Sequence, residues 1–110
     1  MTLIVEKYGG TSVGTVDRIH AIADRVARSK KAGNDMVVVV SAMAGETDRL
    51  TGIARAIGSR PEVSTEEKDG QEAISADFNA RELDVLLATG EQVTISLLVL
   101  ALQSLGVHAK

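Results

Sequence analysis

The sequence predicts an α/β fold built around a mainly parallel sheet. Short β-prone apolar runs alternate with segments of helical periodicity, in the order strand, helix, strand, helices and the start of a strand. Residues 37–40 are four consecutive valines, and a strand that is apolar on both faces is typical of a parallel sheet covered by helices on both sides. This order implies right-handed crossovers, so ligands are expected at the carboxyl ends of the strands, where residues 7–14 and 41–47 form turns.

The first half of the chain predicts two strands and one helix. Residues 3–5 form an apolar run that ends in a glycine-rich turn, which predicts the first strand. Thr15 is the predicted N-cap of the following helix, and Gly33 marks its end. The apolar positions of this helix recur at helical spacing: Val16, Ile19, Ile22, Ala23, Val26 and Ala27. Residues 36–40 predict the second strand.

The second half is predicted to be helical around one irregular segment. Leu50, Ile53, Ala54 and Ile57 would form one apolar helix face. Residues 58–80 hold the only proline and an acidic cluster, and we expect an exposed loop or a loosely held helical insertion there.

Two further helices are predicted over residues 81–88 and 92–105, separated by an interruption at residues 89–91. Gly106 is the expected stop of the second helix, and residues 107–110 resemble the start of a third strand. The apolar stretch 93–102 is far shorter than the roughly 20 residues that cross a bilayer. It therefore predicts a buried helix.

Composition excludes several classes of function. The formal net charge of −3 argues against a nucleic-acid surface, which needs clustered Lys and Arg. The chain has no cysteine, which excludes disulfides and thiolate zinc sites and fits a reducing compartment. The N-terminus lacks the apolar stretch of a secretory signal. We therefore expect a cytoplasmic protein without nucleic-acid or membrane partners.

The first turn has the chemistry of a phosphate site. Glycines let a ligand approach the backbone, and a turn that leads into a helix directs N–H groups at an anion. Thr11 and Ser12 add hydroxyl donors, and Lys7 adds a compact positive charge. The lysine precedes the glycines, so the turn matches neither a Walker A loop nor G-x-G-x-x-G. A plain strand-to-helix turn remains the alternative.

The other polar candidates each have a structural alternative. Ser41 and Thr47 could bind a polar substrate, but Thr47 could equally cap the helix that follows. Glu91 could accept a substrate ammonium group, or could simply complement the dipole of a helix that it opens. His20 and His108 are not spaced as metal ligands. The residues alone favour the cap and the dipole.

Taken together, the turns resemble the motifs of aspartate kinases. Residues 7–13 (KYGGTSV) resemble the K-F-G-G-T-S-V signature, and residues 38–43 (VVVSAM) are similar to the V-V-S-A segment. Residues 45–50 (GETDRL) resemble G-x-T-N-x-L, and residues 89–91 (TGE) resemble [ST]-x-G-E, preceded by a matching RELD at 81–84. Four motifs in the family's order are far more specific than any one of them.

The resemblance implies the amino-acid kinase fold, a three-layer αβα sandwich similar to carbamate kinase, of which residues 1–110 would be the N-terminal part. It implies transfer of a phosphoryl group from ATP, with Mg²⁺, to L-aspartate, giving 4-phospho-L-aspartate at the first step of lysine, threonine and methionine biosynthesis. It also implies a homo-oligomer in the full-length enzyme. Tyr8 in place of Phe and Asp48 in place of Asn are its two departures from the motifs.

By matching position, the resemblance also assigns site residues. The residues that would hold the ATP phosphates are Lys7, Tyr8, Gly9, Gly10, Thr11 and Ser12, with Lys7 as the catalytic group. Those that would bind aspartate are Ser41, Thr47 and Glu91, with Glu91 facing the α-ammonium group.

The residue chemistry agrees with this reaction. A substrate carboxylate with a pKa of about 4 is already ionised at pH 7, so the reaction needs no general base. Phosphoryl transfer depends mostly on positioning and on charge stabilisation, which Lys7 and backbone N–H groups could supply. Other readings stay open: a glutamate, acetylglutamate or nucleotide kinase, a non-catalytic binding or assembly module, and an incomplete chain whose exposed apolar surface promotes association.

Overall fold

The computed structural model describes residues 2–58 and 80–110, so the predicted insertion at 58–80 lies, except for its two end residues, outside the described residues. The elements are β1 (Leu3–Tyr8), a 3-10 turn (Gly10–Val13), α1 (Val16–Lys31), β2 (Asp35–Val40), α2 (Glu46–Gly58) and α3 (Ala80–Ser104). The two strands pair in parallel, with Leu3 opposite Asp35 and Tyr8 opposite Val40. The predicted α/β class with a parallel sheet is confirmed.

Strand β1 is longer than its apolar run. It continues through Glu6 and Lys7 to Tyr8, and its side chains alternate between half-buried and exposed. Because successive side chains of a strand point to opposite faces, Glu6 and Tyr8 share the face that packs against the helices. Lys7 lies on the opposite face and is exposed.

The core lies between this face of the sheet and helices α1 and α3. Thr15 caps α1 as predicted, because its hydroxyl oxygen accepts a hydrogen bond from the backbone N–H of Arg18 at 3.2 Å. The buried members of the core are Val13, Ile19, Ile22, Ala23, Val26, Leu98 and Leu102. The strand residues that pack against them are Tyr8, Met36, Val38 and Val40. The core is aliphatic, as the low aromatic content requires.

The opposite face of the sheet differs from the prediction. Val37 and Val39 are 46% and 47% exposed, and Leu3 and Val5 are more exposed still. Among the described residues, α1 and α3 cover the same face, so the valine run is buried on one side and not on two.

The prediction of two helices separated at residues 89–91 is wrong, because the structure has one helix there, α3. It is continuous from Ala80 to Ser104, and Gly90 is a buried position in its interior. By length and composition alone this helix could span a membrane. Within the protein, 22% of its most apolar 18-residue window is buried. The buried residues Thr94 and Leu98 lie on one face, whereas Leu100 is 61% exposed, so the prediction of a buried helix holds for one face only.

The chain after α3 also differs from the prediction. Gly106 ends the helix as expected, with a φ of 78°, and the N–H of Val107 donates to the carbonyl of Leu102 at 3.0 Å. The predicted third strand at 107–110 is wrong for this structure. The backbone of this segment is instead hydrogen-bonded to the end of α3: the side-chain amide of Gln103 donates to the carbonyl of Ala109 at 3.3 Å.

Helix α2 packs on α3 through part of its predicted apolar face. Leu50 and Ala54 are buried, but Ile53 and Ile57 are 44% and 67% exposed. The helical spacing was therefore correct, while the width of the buried face was overestimated.

Candidate active site

The carboxyl ends of the two strands lie side by side. Tyr8 is opposite Val40 in the sheet, and the backbone N–H of Ser41 donates to the carbonyl of Tyr8 at 3.0 Å. The first and second turns therefore leave the sheet at the same level, where a parallel sheet binds its ligands.

The first turn is held in a shape that exposes its backbone. Gly10 has a φ of 57°, a left-handed conformation that favours glycine. The N–H of Ser12 donates to the carbonyl of Gly9 at 3.1 Å. Val13 is completely buried and anchors the turn in the core, while Gly10 and Thr11 stay exposed. The turn is thus a fixed backbone loop whose rim faces solvent.

The side chains of Lys7 and Tyr8, just before this turn, lie on opposite faces of β1. The Tyr8 hydroxyl donates a hydrogen bond to the Glu6 carboxylate, which also lies 3.5 Å from the Arg25 guanidinium. Burial raises the pKa of Tyr8, and the hydrogen bond to Glu6 and its negative charge raise it further. Tyr8 is therefore a neutral residue that fixes the end of β1 from the helix side, whereas Lys7 presents its charge on the other side.

The second turn leads into α2 through Gly45, which has a φ of 81°. The helix begins at Glu46, and the N–H of Arg49 donates to the carbonyl of Gly45 at 3.0 Å. The prediction that Thr47 caps this helix is wrong, because the helix begins one residue earlier. Thr47 lies inside the first turn of α2 and is exposed.

The two turns touch through glycines. A Cβ atom at Gly9 would lie 3.0 Å from the hydroxyl oxygen of Ser41. A Cβ atom at Gly14 would lie 3.3 Å from the Cβ of Ala44. Larger residues at the glycines would separate the turns, so the predicted phosphate turn and the predicted substrate turn form one continuous surface.

Helix α3 reaches the same surface through Gly90. A Cβ atom there would lie 3.2 Å from the Cβ of Ala42 and 3.3 Å from the Cγ of Glu46. The neighbours of these contact residues in the chain are Thr47 on α2 and Glu91 on α3. Glu91 lies in the middle of α3, so the alternative that it opens a helix and complements its dipole is wrong.

An ion pair that the sequence reasoning missed lies beside this contact. Two guanidinium nitrogens of Arg49 bind the two carboxylate oxygens of Glu46 at 2.6 and 3.0 Å. The hydrogen bond from Arg49 lowers the pKa of Glu46. The sequence signal for this ion pair was the three-residue spacing of Glu46 and Arg49 on one helix, which brings their opposite charges together. The pair fixes the Glu46 side chain whose Cγ faces Gly90.

The polar side chains predicted for the site fall into two groups at the strand ends. Thr11 and Ser12 lie in the first turn and Lys7 in the strand that leads to it, while Ser41 and Thr47 belong to the neighbouring turn and helix. Within residues 2–58 and 80–110, no group of three or more His, Asp or Glu side chains is placed to hold a metal ion.

Comparison with known proteins identifies the family. The model of the amino acid kinase family matches residues 2–110. The chain belongs to the amino acid kinase family. It is 50% identical to the aspartokinase of Pseudomonas aeruginosa over 109 residues, which cover 99% of this chain and 22% of that protein. It is 48% identical to aspartokinase 2 of Bacillus subtilis, with the same coverage.

A solved structure agrees with the family assignment. The crystal structure of aspartate kinase from Synechocystis matches with a TM-score of 0.73 and 48% identity, over 94% of this chain and 15% of that chain. The expected amino-acid kinase fold is thereby confirmed. The chain spans about 22% of the length of the curated relatives that it matches.

Proposed function

We propose that the protein carrying this chain transfers a phosphoryl group from ATP to the side-chain carboxylate of L-aspartate, giving 4-phospho-L-aspartate, the first step of lysine, threonine and methionine biosynthesis. The observation that carries the proposal is the convergence of three motif segments at the strand ends, through the contacts of Gly9 with Ser41 and of Gly90 with Ala42. The similarity to proteins named aspartokinase, at 42% to 50% identity, supports the choice of substrate.

The first turn would hold the phosphates. Backbone N–H groups around Gly9 and Gly10, with the hydroxyls of Thr11 and Ser12, offer hydrogen-bond donors to phosphate oxygens. Tyr8 contributes its backbone and holds the turn from the helix side. Mg²⁺ would arrive bound to ATP as part of the substrate.

Lys7 is the proposed catalytic residue. Its ammonium group lies at the carboxyl end of β1, on the face away from the helices, and would bridge the transferred and leaving phosphates. Charge neutralisation is the main requirement, because two anions must approach each other and the attacking carboxylate is already ionised.

The second turn and the helices would hold aspartate. The hydroxyls of Ser41 and Thr47 are proposed to bind its polar groups, and the carboxylate of Glu91 is proposed to accept hydrogen bonds from its α-ammonium group. Thr47 and Glu91 are exposed and follow directly on the contact of Glu46 with Gly90. That contact would keep the distance between the two groups constant.

The proposal includes the setting of the reaction. Residues 1–110 would form the N-terminal part of the kinase domain, and the assembled enzyme would be a homo-oligomer in the cytoplasm, where both substrates are available. Size-exclusion chromatography with light scattering on the complete product of the gene would measure the oligomeric state.

The test is hydroxamate formation from ATP, Mg²⁺ and a panel of acceptors: aspartate, glutamate and acetylglutamate. It is made on the 110-residue chain and on the complete product of its gene. Product with aspartate alone supports the proposal. Product with another acceptor alone overturns the choice of substrate, and product with no acceptor in either protein leaves the binding module as the better reading.

A further inference from the structure

A second concave surface lies on the helix side of the sheet, behind the first turn. It is an open concavity of about 280 Å³, and its wall includes Tyr8, Ser12, Ile22 and three arginines of α1. Lys7 does not contribute to it, because Lys7 and Tyr8 point to opposite faces of β1. This surface, which we call the arginine cavity, adjoins the proposed phosphate turn through Tyr8 and Ser12 and lies on the other face of β1 from Lys7.

The three arginines follow one side of α1. Arg18 and Arg25 are two helical turns apart, and Arg28 lies one turn beyond Arg25, so their side chains fall along the same stripe. All three are exposed at the surface. Three guanidinium groups on one stripe repel each other, so a ligand that supplies negative charge there is favoured.

Only part of this charge is compensated in the protein. Arg25 lies 3.5 Å from the Glu6 carboxylate, which is itself shared with the Tyr8 hydroxyl. Among the described residues, no aspartate or glutamate lines the cavity itself. Within the cavity, three guanidinium groups therefore face the carboxylate of Glu6, while Asp24 lies beside Arg28 on the neighbouring surface of α1.

The remaining groups of the cavity suit an anion that carries phosphate. The guanidinium fork matches the spacing of phosphate oxygens and binds them in pairs, and the Ser12 hydroxyl is an additional donor. Ile22 is buried and supplies an apolar floor. The volume is sufficient for a small ligand with one or two phosphate groups.

We propose that the arginine cavity binds a small phosphate-bearing anion through Arg18, Arg28 and the Ser12 hydroxyl, with Arg25 held in place by Glu6. The inference shares Ser12 with the proposed phosphate turn. It does not depend on phosphoryl transfer to aspartate, because neither Lys7 nor the residues proposed for aspartate take part. Both a free phosphate compound and a nucleotide could supply this chemistry, so the test includes one of each.

The experiment is a calorimetric titration of the purified protein with pyrophosphate, and separately with AMP, at constant ionic strength. The double variant Arg18→Gln with Arg28→Gln removes the two guanidinium groups that Glu6 does not compensate, and we expect at least about tenfold weaker binding of pyrophosphate. Lys31→Gln removes one positive charge from the same helix outside the cavity, and we expect it to bind pyrophosphate like the parent protein. Each variant is also measured in a Lys7→Gln background, because Lys7 is proposed to bind phosphates on the other face of β1.

The outcomes separate the sources and the sites. Binding of pyrophosphate without AMP indicates a free phosphate compound, and tighter binding of AMP indicates a nucleotide. The double variant Arg18→Lys with Arg28→Lys keeps the charge and loses the fork, so we expect intermediate binding. Undiminished binding in the Gln double variant in the Lys7→Gln background overturns the proposal, and so does an equal loss in Lys31→Gln.

Discussion

The hydroxyl oxygen of Ser41 lies 3.0 Å from the position that a Cβ atom at Gly9 would occupy. Gly9 has an extended backbone (φ −144°, ψ 168°) that any residue can adopt. A side chain at position 9 would therefore be limited by the Ser41 hydroxyl and not by the backbone conformation. The close approach joins the ends of two adjacent strands, and it is the point at which the two turns of the proposed site meet.

Replacing Gly9 by alanine is expected to lower the free energy of unfolding by about 1 kcal/mol, because the new methyl group forces the Ser41 side chain away from its position. Chemical denaturation of the parent protein and the Gly9→Ala variant measures the difference.

Ser41→Ala provides the matched background for this test. Without the hydroxyl, the nearest atom to a Cβ at Gly9 is the Cβ of residue 41 at 3.7 Å, an ordinary contact. Gly9→Ala should then cost almost nothing, and the double-mutant cycle should return a coupling close to the cost in the parent. An equal cost in both backgrounds would show that the close approach is not what excludes a side chain.

Gly90 and Gly52 form a second matched pair, because both lie inside helices. Alanine is favoured over glycine in a helix by about 1 kcal/mol, and a Cβ at Gly52 would meet no atom within 4 Å. We expect Gly52→Ala to raise the free energy of unfolding by about that amount. At Gly90 the same change brings a methyl group against Ala42 and Glu46, so it should lower the free energy of unfolding by about 1–2 kcal/mol. Thermal or chemical denaturation of both variants measures the contrast, and stabilisation by Gly90→Ala would contradict the packing.

The contrast between these glycines explains which parts of the fold the sequence could predict. Thr15 and Gly106 act through their own local conformation, so their roles as helix start and stop were predicted correctly. Gly90 is helical because α3 packs against Ala42 and Glu46, which are distant in sequence, and local propensity indicated a break. Local patterns also could not locate the start of α2 to within one residue. That one residue determines whether Thr47 caps the helix or lies inside its first turn. The candidate site residues were proposed from motifs, whereas the contacts that bring their segments together join residues distant in sequence and could not be predicted from local patterns.

Tyr8 is the only tyrosine in the chain, so its ionisation can be followed directly. Burial and the bond to Glu6 raise its pKa above the ordinary value of 10.0. The neutral form is favoured in the folded state, so its stabilising contribution is complete below pH 10 and is lost as the pH rises through the folded pKa. Ultraviolet absorbance of the phenolate against pH measures this shift.

Glu6→Gln tests the causes of the shift. Burial is the largest cause and the hydrogen bond to Glu6 is the next. Removing the carboxylate charge should therefore move the pKa of Tyr8 part of the way back toward its ordinary value. Guanidinium-unfolded protein gives the reference titration. A Tyr8 pKa that is the same in the folded and unfolded protein would contradict the described contacts.

Lys7→Ala is expected to lower turnover in the hydroxamate assay by about a hundredfold or more, because a charge that acts on the transferred phosphate is lost from the transition state. The KM for aspartate should change little, since Lys7 is proposed to contact only phosphates. Lys31→Ala is the control, because Lys31 is an exposed lysine at the end of α1 away from the strand ends. Unchanged turnover in Lys7→Ala would remove Lys7 from the mechanism.

The proposed role of Glu91 predicts a loss that depends on the substrate. If its carboxylate binds the α-ammonium group of aspartate, Glu91→Gln removes a charged hydrogen bond worth about 1.5–3 kcal/mol, so kcat/KM for aspartate should fall about ten- to a hundredfold. Succinate has the same two carboxylates and no ammonium group, so its low kcat/KM should be nearly unchanged by the substitution. Glu82→Gln, in the first turn of the same helix, is the matched control and should affect neither acceptor. An equal loss with aspartate and succinate would mean that Glu91 supports the position of α3 and does not recognise the ammonium group.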